Sequence, residues 1–493
     1  MKSHIKRKLK LVSLICLAGS LSGCVVGPDY VKPSIAMPAS WKAKGKHVHE
    51  APPELAEWWK QFRDPTLNGL VAEAVHSNLD IATAKAKIRQ ARASLQQERG
   101  TLFPSLSEAS SATRNKGTTT GPEPTVYSQY QAGFDASWEI DLFGGARRAV
   151  EAAVYAEQSS EEELRDTLVT LIGDVATYYV QAREYQQLVA LAQRSAKSQR
   201  ETAVLTTQQV EVGLASRVDV SKAEAQAAST QADVPSYQIS YAKAVNRLAV
   251  LLGRSALDLD AQFRSAEPIP SPPRKMKVGI PADILNTRPD IRSAERQLAQ
   301  ATAKVGQAEA NRYPSVSLTG SIDTSAASIS DLGKKSTIGW SFGPTVTVPI
   351  FQGGQLKAAV DVAKAERDQH FFTYQSTVLT ALEDVQNAIV SLNKSRARAA
   401  SLAESVSGYR QAAKYSRDLL AAGESDLFDV LDADRSLYSA QEQLIQANAD
   451  IATSYVSLNK ALGGGWSGPI DVTAPRVEDG FVGPHLAMRK ITQ

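Results

Sequence analysis

The sequence predicts a mainly α-helical protein with a β-barrel portion, built twice from one unit in which a β-hairpin precedes a long helix. Three observations carry this. A proline-free heptad stretch occurs twice, from Gly145 to Gly213 and from Gly354 to Gly423. Ahead of each, apolar and polar residues alternate with a period of two. The halves also match each other at an offset of 210: Phe103-Pro104-Ser105 with Tyr313-Pro314-Ser315, Gly213 with Gly423, Asp219-Val220 with Asp429-Val430, and Leu252-Gly253 with Leu462-Gly463.

The heptads define the helices. In the second copy, Phe371, Tyr374, Val378, Ala381, Val385, Ala388, Leu392, Ala399, Leu402, Val406, Tyr409 and Ala413 fall at alternating spacings of three and four, with Ser395 filling the one gap. That is a coiled-coil seam. The first copy repeats it through Leu164, Leu168, Leu171, Val175, Tyr178, Ala182, Tyr185, Val189 and Ala192. At about 1.5 Å per residue, each rod is on the order of 100 Å long. Many seam positions are Ala or Ser, which bury little area per contact. Such rods need lateral neighbours, so a bundle or tube of helices is expected.

Residues 1–23 read as a lipoprotein signal peptide. A basic start (Lys2, Lys6, Arg7, Lys8, Lys10) precedes the apolar run Leu11 to Ala18. Leu21-Ser22-Gly23-Cys24 then has the form of a bacterial lipobox, which implies cleavage before Cys24 and a covalent lipid on its thiol. Val25 stands in place of the aspartate typical of lipoproteins held in the inner membrane. Loss of the signal changes the charge balance from 55 Lys+Arg against 52 Asp+Glu to 50 against 52. Near neutrality removes the case for nucleic-acid binding by net charge. Cys16 leaves with the signal, so Cys24 is the one mature cysteine and no intrachain disulfide forms.

An extended leader, residues 24–64, opens on Gly27-Pro28-Asp29-Tyr30-Val31-Lys32-Pro33. His47 and His49 lie in it, too few ligands for a metal site. Trp58-Trp59-Lys60-Gln61-Phe62 reads as a packing anchor. The first structural repeat spans residues 65–267: a helix from about Pro65 to Gly100, a hairpin over about 103–142 and the long helix over about 145–213. A proline-rich linker covers 268–286. The second repeat, 287–465, has a short helix from about Arg288 to Arg312, a hairpin over about 313–350 and the long helix over about 354–423. A tail, 466–493, closes the chain.

In the first hairpin Tyr130, Ala132, Phe134, Ala136, Trp138, Ile140 and Leu142 share one face, and Gln131, Gly133, Asp135, Ser137, Glu139 and Asp141 the other. In the second, Ile338, Trp340, Phe342, Val346, Val348 and Ile350 alternate with Gly339, Ser341, Gly343, Thr345 and Thr347. Strands apolar outside and polar inside suit a membrane barrel around water. Four strands cannot close one, because a barrel needs about eight, and open edges in a bilayer leave backbone groups unpaired. Two hairpins of a soluble sheet with one wet face are the alternative. The export signal favours several chains sharing one barrel.

The lipobox followed by Gly27-Pro28-Asp29-Tyr30, the duplicated hairpin-and-long-helix unit, the Phe-Pro-Ser and Tyr-Pro-Ser strand starts, and Ala461-Leu462-Gly463-Gly464-Gly465-Trp466 together resemble the outer-membrane efflux protein family. More narrowly, the chain resembles its TolC-like lipoprotein branch, which serves resistance-nodulation-division pumps. The resemblance implies a homotrimer with a twelve-stranded outer-membrane β-barrel, four strands per chain, continuing into a periplasmic α-helical barrel. It implies lipid anchoring in the outer membrane, a periplasmic adaptor and an inner-membrane resistance-nodulation-division transporter as partners, no nucleic acid, and no cofactor beyond the lipid on Cys24.

Two turns hold the candidate site residues. Gly213 and Gly423 suit left-handed helix ends, and Ser216 and Asp426 suit N-caps, with Asp219 and Asp429 three residues on as first-turn acids. In the family, an Asp-Val-Leu-Asp-Ala stretch places aspartates at the closed periplasmic end of the pore. The matching positions here are Asp429 and Asp432, with Arg435 one turn further. Lys222 is the counterpart of Asp432 in the first half, and the opposite charges suggest a pair that holds the tunnel shut.

Nothing in the sequence has the pattern of a phosphate loop, a nucleophile elbow or a catalytic cluster, so the expected role is a passive exit duct rather than an enzyme. A conduit for secreted protein and a structural envelope lipoprotein are the alternatives. Four methionines, none clustered, give no support to a methionine-lined metal route.

Overall fold

The computed structural model describes residues 25–41, 48–49, 54–117, 125–255, 259, 263 and 265–476. The signal peptide, Cys24, His47 and the end of the tail lie outside them. Seven principal helices follow in chain order: α1 (Pro65–Ser77), α2 (Leu79–Gly100), α3 (Gly145–Glu211), α4 (Arg217–Leu251), α5 (Pro289–Ala310), α6 (Gln355–Ala422) and α7 (Leu427–Ala461). Four long strands lie between them, β1 (Ser105–Gly117), β2 (Thr125–Ile140), β3 (Ser315–Ala326) and β4 (Ile338–Thr347). The duplication is visible in their lengths: α2 and α5 both have 22 residues, α4 and α7 both 35, and α3 and α6 have 67 and 68.

The helix expected over 65–100 is broken. Asn78 is extended (φ −66°, ψ 134°) and separates α1 from α2. Its Oδ1 accepts from the N–H groups of Asp80 (2.8 Å) and Ile81 (3.1 Å), the bonds of an N-cap. The apolar stripe crosses the break because Leu67, Leu70, Val71, Ala74, Ile81 and Ile88 are all buried.

The four strands form one antiparallel sheet in the order β1-β2-β3-β4. Register puts the alternation of β2, β3 and β4 in phase: Phe134 stands opposite Ile322, which stands opposite Trp340, and Ile140 opposite Val316, which stands opposite Val346. One face is therefore apolar and aromatic, with Phe134, Ile322, Trp340, Phe342 and Val346 exposed. The other carries Ser105, Ser107, Asp135, Ser137, Thr319, Ser321, Asp323 and Thr345. Within the described residues β1 and β4 each have one unpaired edge.

The chain divides into two compact units. The first comprises Met1–Ile35, Gln90–Glu161 and Ile291–Thr377, and the second Ala36–Arg89, Glu162–Asp290 and Val378–Gln493. Both long helices contribute to each.

In the first unit the leader is fixed by the residues of its Gly-Pro-Asp-Tyr motif. Val26 N–H bonds to Phe143 O at 3.1 Å. The buried Arg148 guanidinium donates to the carbonyls of Val26 and Gly27 and to Asp29 (2.7 Å), and Tyr30 Oη donates to Glu295 (2.7 Å). Gly27 has φ +88°, and a Cβ there would lie 2.3 Å from Gly306 Cα, so no side chain fits.

In the second unit the seam residues are at the core: Leu164, Leu171, Val175, Ala182, Ala192, Val378, Ala381, Val385, Leu392 and Ala413 are all buried, while Tyr409 of the expected seam is exposed. Trp58, Phe62 and Tyr455 stack edge to face, which confirms the aromatic anchor. No described helix is long and apolar enough to cross a membrane.

Candidate functional site

The turns that end α3 and α6 share one geometry. Gly213 (φ 77°) and Gly423 (φ 75°) are left-handed. Leu214 N–H reaches back to Gln209 O (2.8 Å) and Glu424 N–H to Leu419 O (2.9 Å), the bond that closes a Schellman end. The next helices then start on side-chain caps. Ser216 and Asp219 form a reciprocal capping box: Ser216 Oγ accepts from Asp219 N–H (3.2 Å), and Asp219 Oδ2 accepts from Ser216 N–H (3.1 Å). The Ser216 hydrogen bonds, from side chain and then backbone, hold the Asp219 carboxyl below the usual carboxylate range. In the second turn Asp426 Oδ1 accepts from Asp429 N–H (3.1 Å), and Asp429 Oδ2 accepts from Ser425 Oγ (2.8 Å).

Asp432 and Arg435 come together, as Arg435 Nη2 donates to Asp432 Oδ1 at 2.7 Å on one face of α7. Both are exposed. Lys222 is exposed too, and among the described residues no bond joins it to Asp432. Arg435 stands one turn from Asp432 on the same helix, and the charge of Lys222 acts on Asp219.

A deeper contact escapes sequence reasoning. Asp434 is 5% exposed and accepts from Arg417 Nη2 of α6 at 2.6 Å; the same nitrogen reaches Ser198 Oγ of α3 at 3.4 Å. Among the described residues, Asp434 Oδ2 and the buried Gln199 Oε1 have no partner. Both residues line a cavity of about 160 Å³ with Leu191, Arg194 and Tyr438. Burial pushes the Asp434 carboxyl up, against the pull of Arg417. Nearby, Tyr438 Oη donates to Asp233 (2.9 Å) and Tyr237 Oη to Glu442 (2.7 Å), tying α4 to α7. The signal for Asp434 lay in the seam: it takes the position between Val430 and Tyr438, where an apolar residue belongs.

A second polar cavity, about 440 Å³, is lined by Asp166, Arg288, Asp290, Asp384, Ser457 and Lys460 among others. Burial, and after it the charge of Asp290, raises the Asp166 carboxyl. Among the described residues no His, Cys, Asp and Glu cluster has the geometry of a metal site.

Comparison with known proteins gives a consistent result. The outer membrane efflux protein family matches residues 70–254 and again 280–464, the same span displaced by 210. Nodulation protein T of Rhizobium leguminosarum bv. trifolii is 35% identical over 449 residues, covering 91% of this chain and 96% of its own. The solvent efflux pump outer membrane protein SrpC of Pseudomonas putida is 33% identical over 459 residues, with 91% and 96% covered. The solved structure of the outer-membrane channel OprN superposes with a TM-score of 0.84 at 34% identity, covering 90% of this chain and all of that one. Two matched repeats, with relatives aligned over nine-tenths of the chain, identify it as a member of the outer membrane efflux protein family.

Proposed function

We propose that the protein is the outer-membrane channel of a tripartite efflux pump, a passive exit for compounds delivered by an inner-membrane resistance-nodulation-division transporter through a periplasmic adaptor. One observation carries the reading: a four-stranded sheet with an apolar face, a polar face and two open edges, joined in sequence to two helices of 67 and 68 residues. Such a sheet is stable in lipid only when its edges close on other copies. Three copies give twelve strands around a polar lumen. Apolar side chains left exposed on α6, among them Phe372 and Leu379, are what a neighbouring copy would cover.

In this reading Cys24 carries the lipid, two residues before Val26, the first residue that Arg148 holds. Asp429, Asp432, Arg435 and Lys222 stand at the periplasmic gate, where rings of carboxylates favour cations. Relatives named for nodulation and for solvent efflux align with this chain over about nine-tenths of its length, which supports a duct whose cargo is selected by the delivering transporter. The test is a susceptibility panel on a strain lacking the protein, spanning antibiotics, dyes, detergents, aromatic solvents and metal salts. Complementation uses the wild type and Cys24→Ala. Sensitivity to several compounds, restored by the wild type, is the expected result. No sensitivity, together with a missing exported protein, would replace efflux with protein secretion.

A further inference from the structure

A polar layer crosses the packing of α3, α4, α6 and α7 between two apolar clusters. On one side Leu191 and Ala192 of α3, Val234 of α4 and Tyr438 of α7 pack together, with Val189, Tyr237 and Ile445 against them. On the side of the turns, Ala203 of α3 and Ala223 of α4 meet Leu427 of α7, with Leu420 and Leu431 against them. Between the clusters Gln199 of α3, Thr230 of α4 and Asp434 of α7 are buried. Arg417 of α6 spans the layer from Asp434 to Ser198.

The layer is short of donors. Gln199 is 1% exposed, and among the described residues neither its Oε1 nor Asp434 Oδ2 has a partner. Both residues line the cavity of about 160 Å³ together with Ser195, Ser198 and Gln441, while Arg194, also on its lining, is exposed. The donor that both oxygens call for is water, and a polar cavity of this size admits it. Widening the layer therefore gains hydrogen bonds with water, whereas parting either cluster gives up apolar burial. The clusters resist unequally. On the Tyr438 side the bonds from Tyr438 to Asp233 and from Tyr237 to Glu442 also join α7 to α4. On the turn side the first hairpin gives the cluster two alanines, and among the described residues no hydrogen bond or ion pair crosses there from α3 or α4 to α6 or α7.

We propose that the two helical hairpins part at this layer: the end of the α6–α7 hairpin beyond it, with Asp429 and Asp432, swings away from α3 and α4 as one piece, while the Tyr438 side stays packed. This rests on the reading that the protein is a channel whose periplasmic gate lies at these turns. The moving piece is braced within itself, because Leu420, Leu427 and Leu431 all belong to the second hairpin and Asp426 caps α7 at Asp429. An apolar layer in the same place would hold the helices together more firmly. The polar one makes a place where water enters and local opening starts.

Full-length protein is followed in detergent by hydrogen exchange over residues 427–433, and in planar bilayers by the fraction of time its channels are open. Gln199→Met removes one acceptor at nearly constant volume, and Gln199→Met, Arg417→Met and Asp434→Leu together make the layer apolar. Both variants are expected to exchange more slowly there and to open about tenfold less often. Arg417→Met alone leaves Asp434 without its cation and should do the reverse. Wild-type exchange and opening in the first two variants would overturn the proposal, and so would changes that run evenly past Tyr438, the mark of a general loosening or tightening. Altered exchange with unaltered opening would overturn the link to the gate. A wild type that forms no channel would overturn the channel reading, and exchange then decides the layer by itself. Should the triple variant fail to fold, Gln199→Met decides, since it adds no charge and leaves Arg417 on Asp434.

Discussion

Asn78 and Arg288 occupy the same place in the two halves of the chain, and each donates to the same carbonyl of its half. Asn78 Nδ2 reaches Leu251 O and Arg288 Nη1 reaches Ala461 O, both at 2.9 Å. Each precedes α2 or α5 and ties its start to the end of α4 or α7. The second half adds charge to the plan, as Arg288 also bonds Asp290 and Asp384. Asn78→Ala should cost about 1–2 kcal/mol, the loss of a cap and of one buried bond. Arg288→Ala should cost more, about 3 kcal/mol, because it takes a buried cation away from the Ala461 carbonyl, Asp290 and Asp384 at once. Denaturant unfolding in micelles ranks the two.

The Leu-Gly pairs that end α4 and α7 serve this junction. A Cβ at Gly253 would lie 2.5 Å from Ser77 O, and one at Gly463 2.5 Å from Thr287 O, with φ at +67° and +79°. At Gly423 nothing lies within 4 Å. Gly423→Ala should therefore cost only the left-handed backbone penalty, about 1 kcal/mol, and Gly463→Ala clearly more, with loss of folded yield as the readout.

Glu184 on α3 has its carboxyl pushed up to about 7, first by burial and then by the charge of Asp450. Its folded value lies above the unfolded one, so the folded state binds the extra proton between about pH 4.5 and 7. This group's contribution therefore falls as pH rises through that window. Glu184→Gln should be more stable than the wild type at pH 8, by roughly 1–2 kcal/mol after allowance for partial exposure, and the gain should vanish by pH 4. Denaturation midpoints at several pH values test the sign.

Removing Arg417 leaves Asp434 buried without its cation. Arg417→Met should destabilise the second unit by about 3 kcal/mol near neutral pH. Because Asp434 can take up a proton, whose absence is what makes burial costly, the deficit should shrink as pH falls. Paired replacement of Arg417 by Met and Asp434 by Leu should recover most of the loss; a deficit that is additive and flat with pH would show that the pair is not the cause.

Periodicity made the long helices and the two-faced strands legible, since both patterns follow from burial on one side of a regular element. The turns were legible too, because Gly213, Gly423, Ser216 and Asp426 each have one conformational or capping reason to be there. The break at Asn78 was not, although Asn is a good cap: the apolar stripe runs on in phase across it. Asp434 was passed over for Asp432, because its pairing with Arg417 joins residues on different helices. Sequence equivalence alone says nothing of distance between Lys222 and Asp432: among the described residues Asp432 bonds Arg435, and the bonds between α4 and α7 lie further along, at Asp233 and Tyr438 and at Tyr237 and Glu442.

The open edges of β1 and β4 carry a genetic consequence. In the proposed shared barrel, each chain's outer strands would find their backbone partners on other chains, so in lipid the assembly, and not the polypeptide, would be the unit that folds. A copy with a proline introduced into β1, which has none, would spoil a seam that belongs equally to its neighbour. Alleles of that kind should be dominant over a normal copy in the same cell, whereas a simple deletion should be recessive.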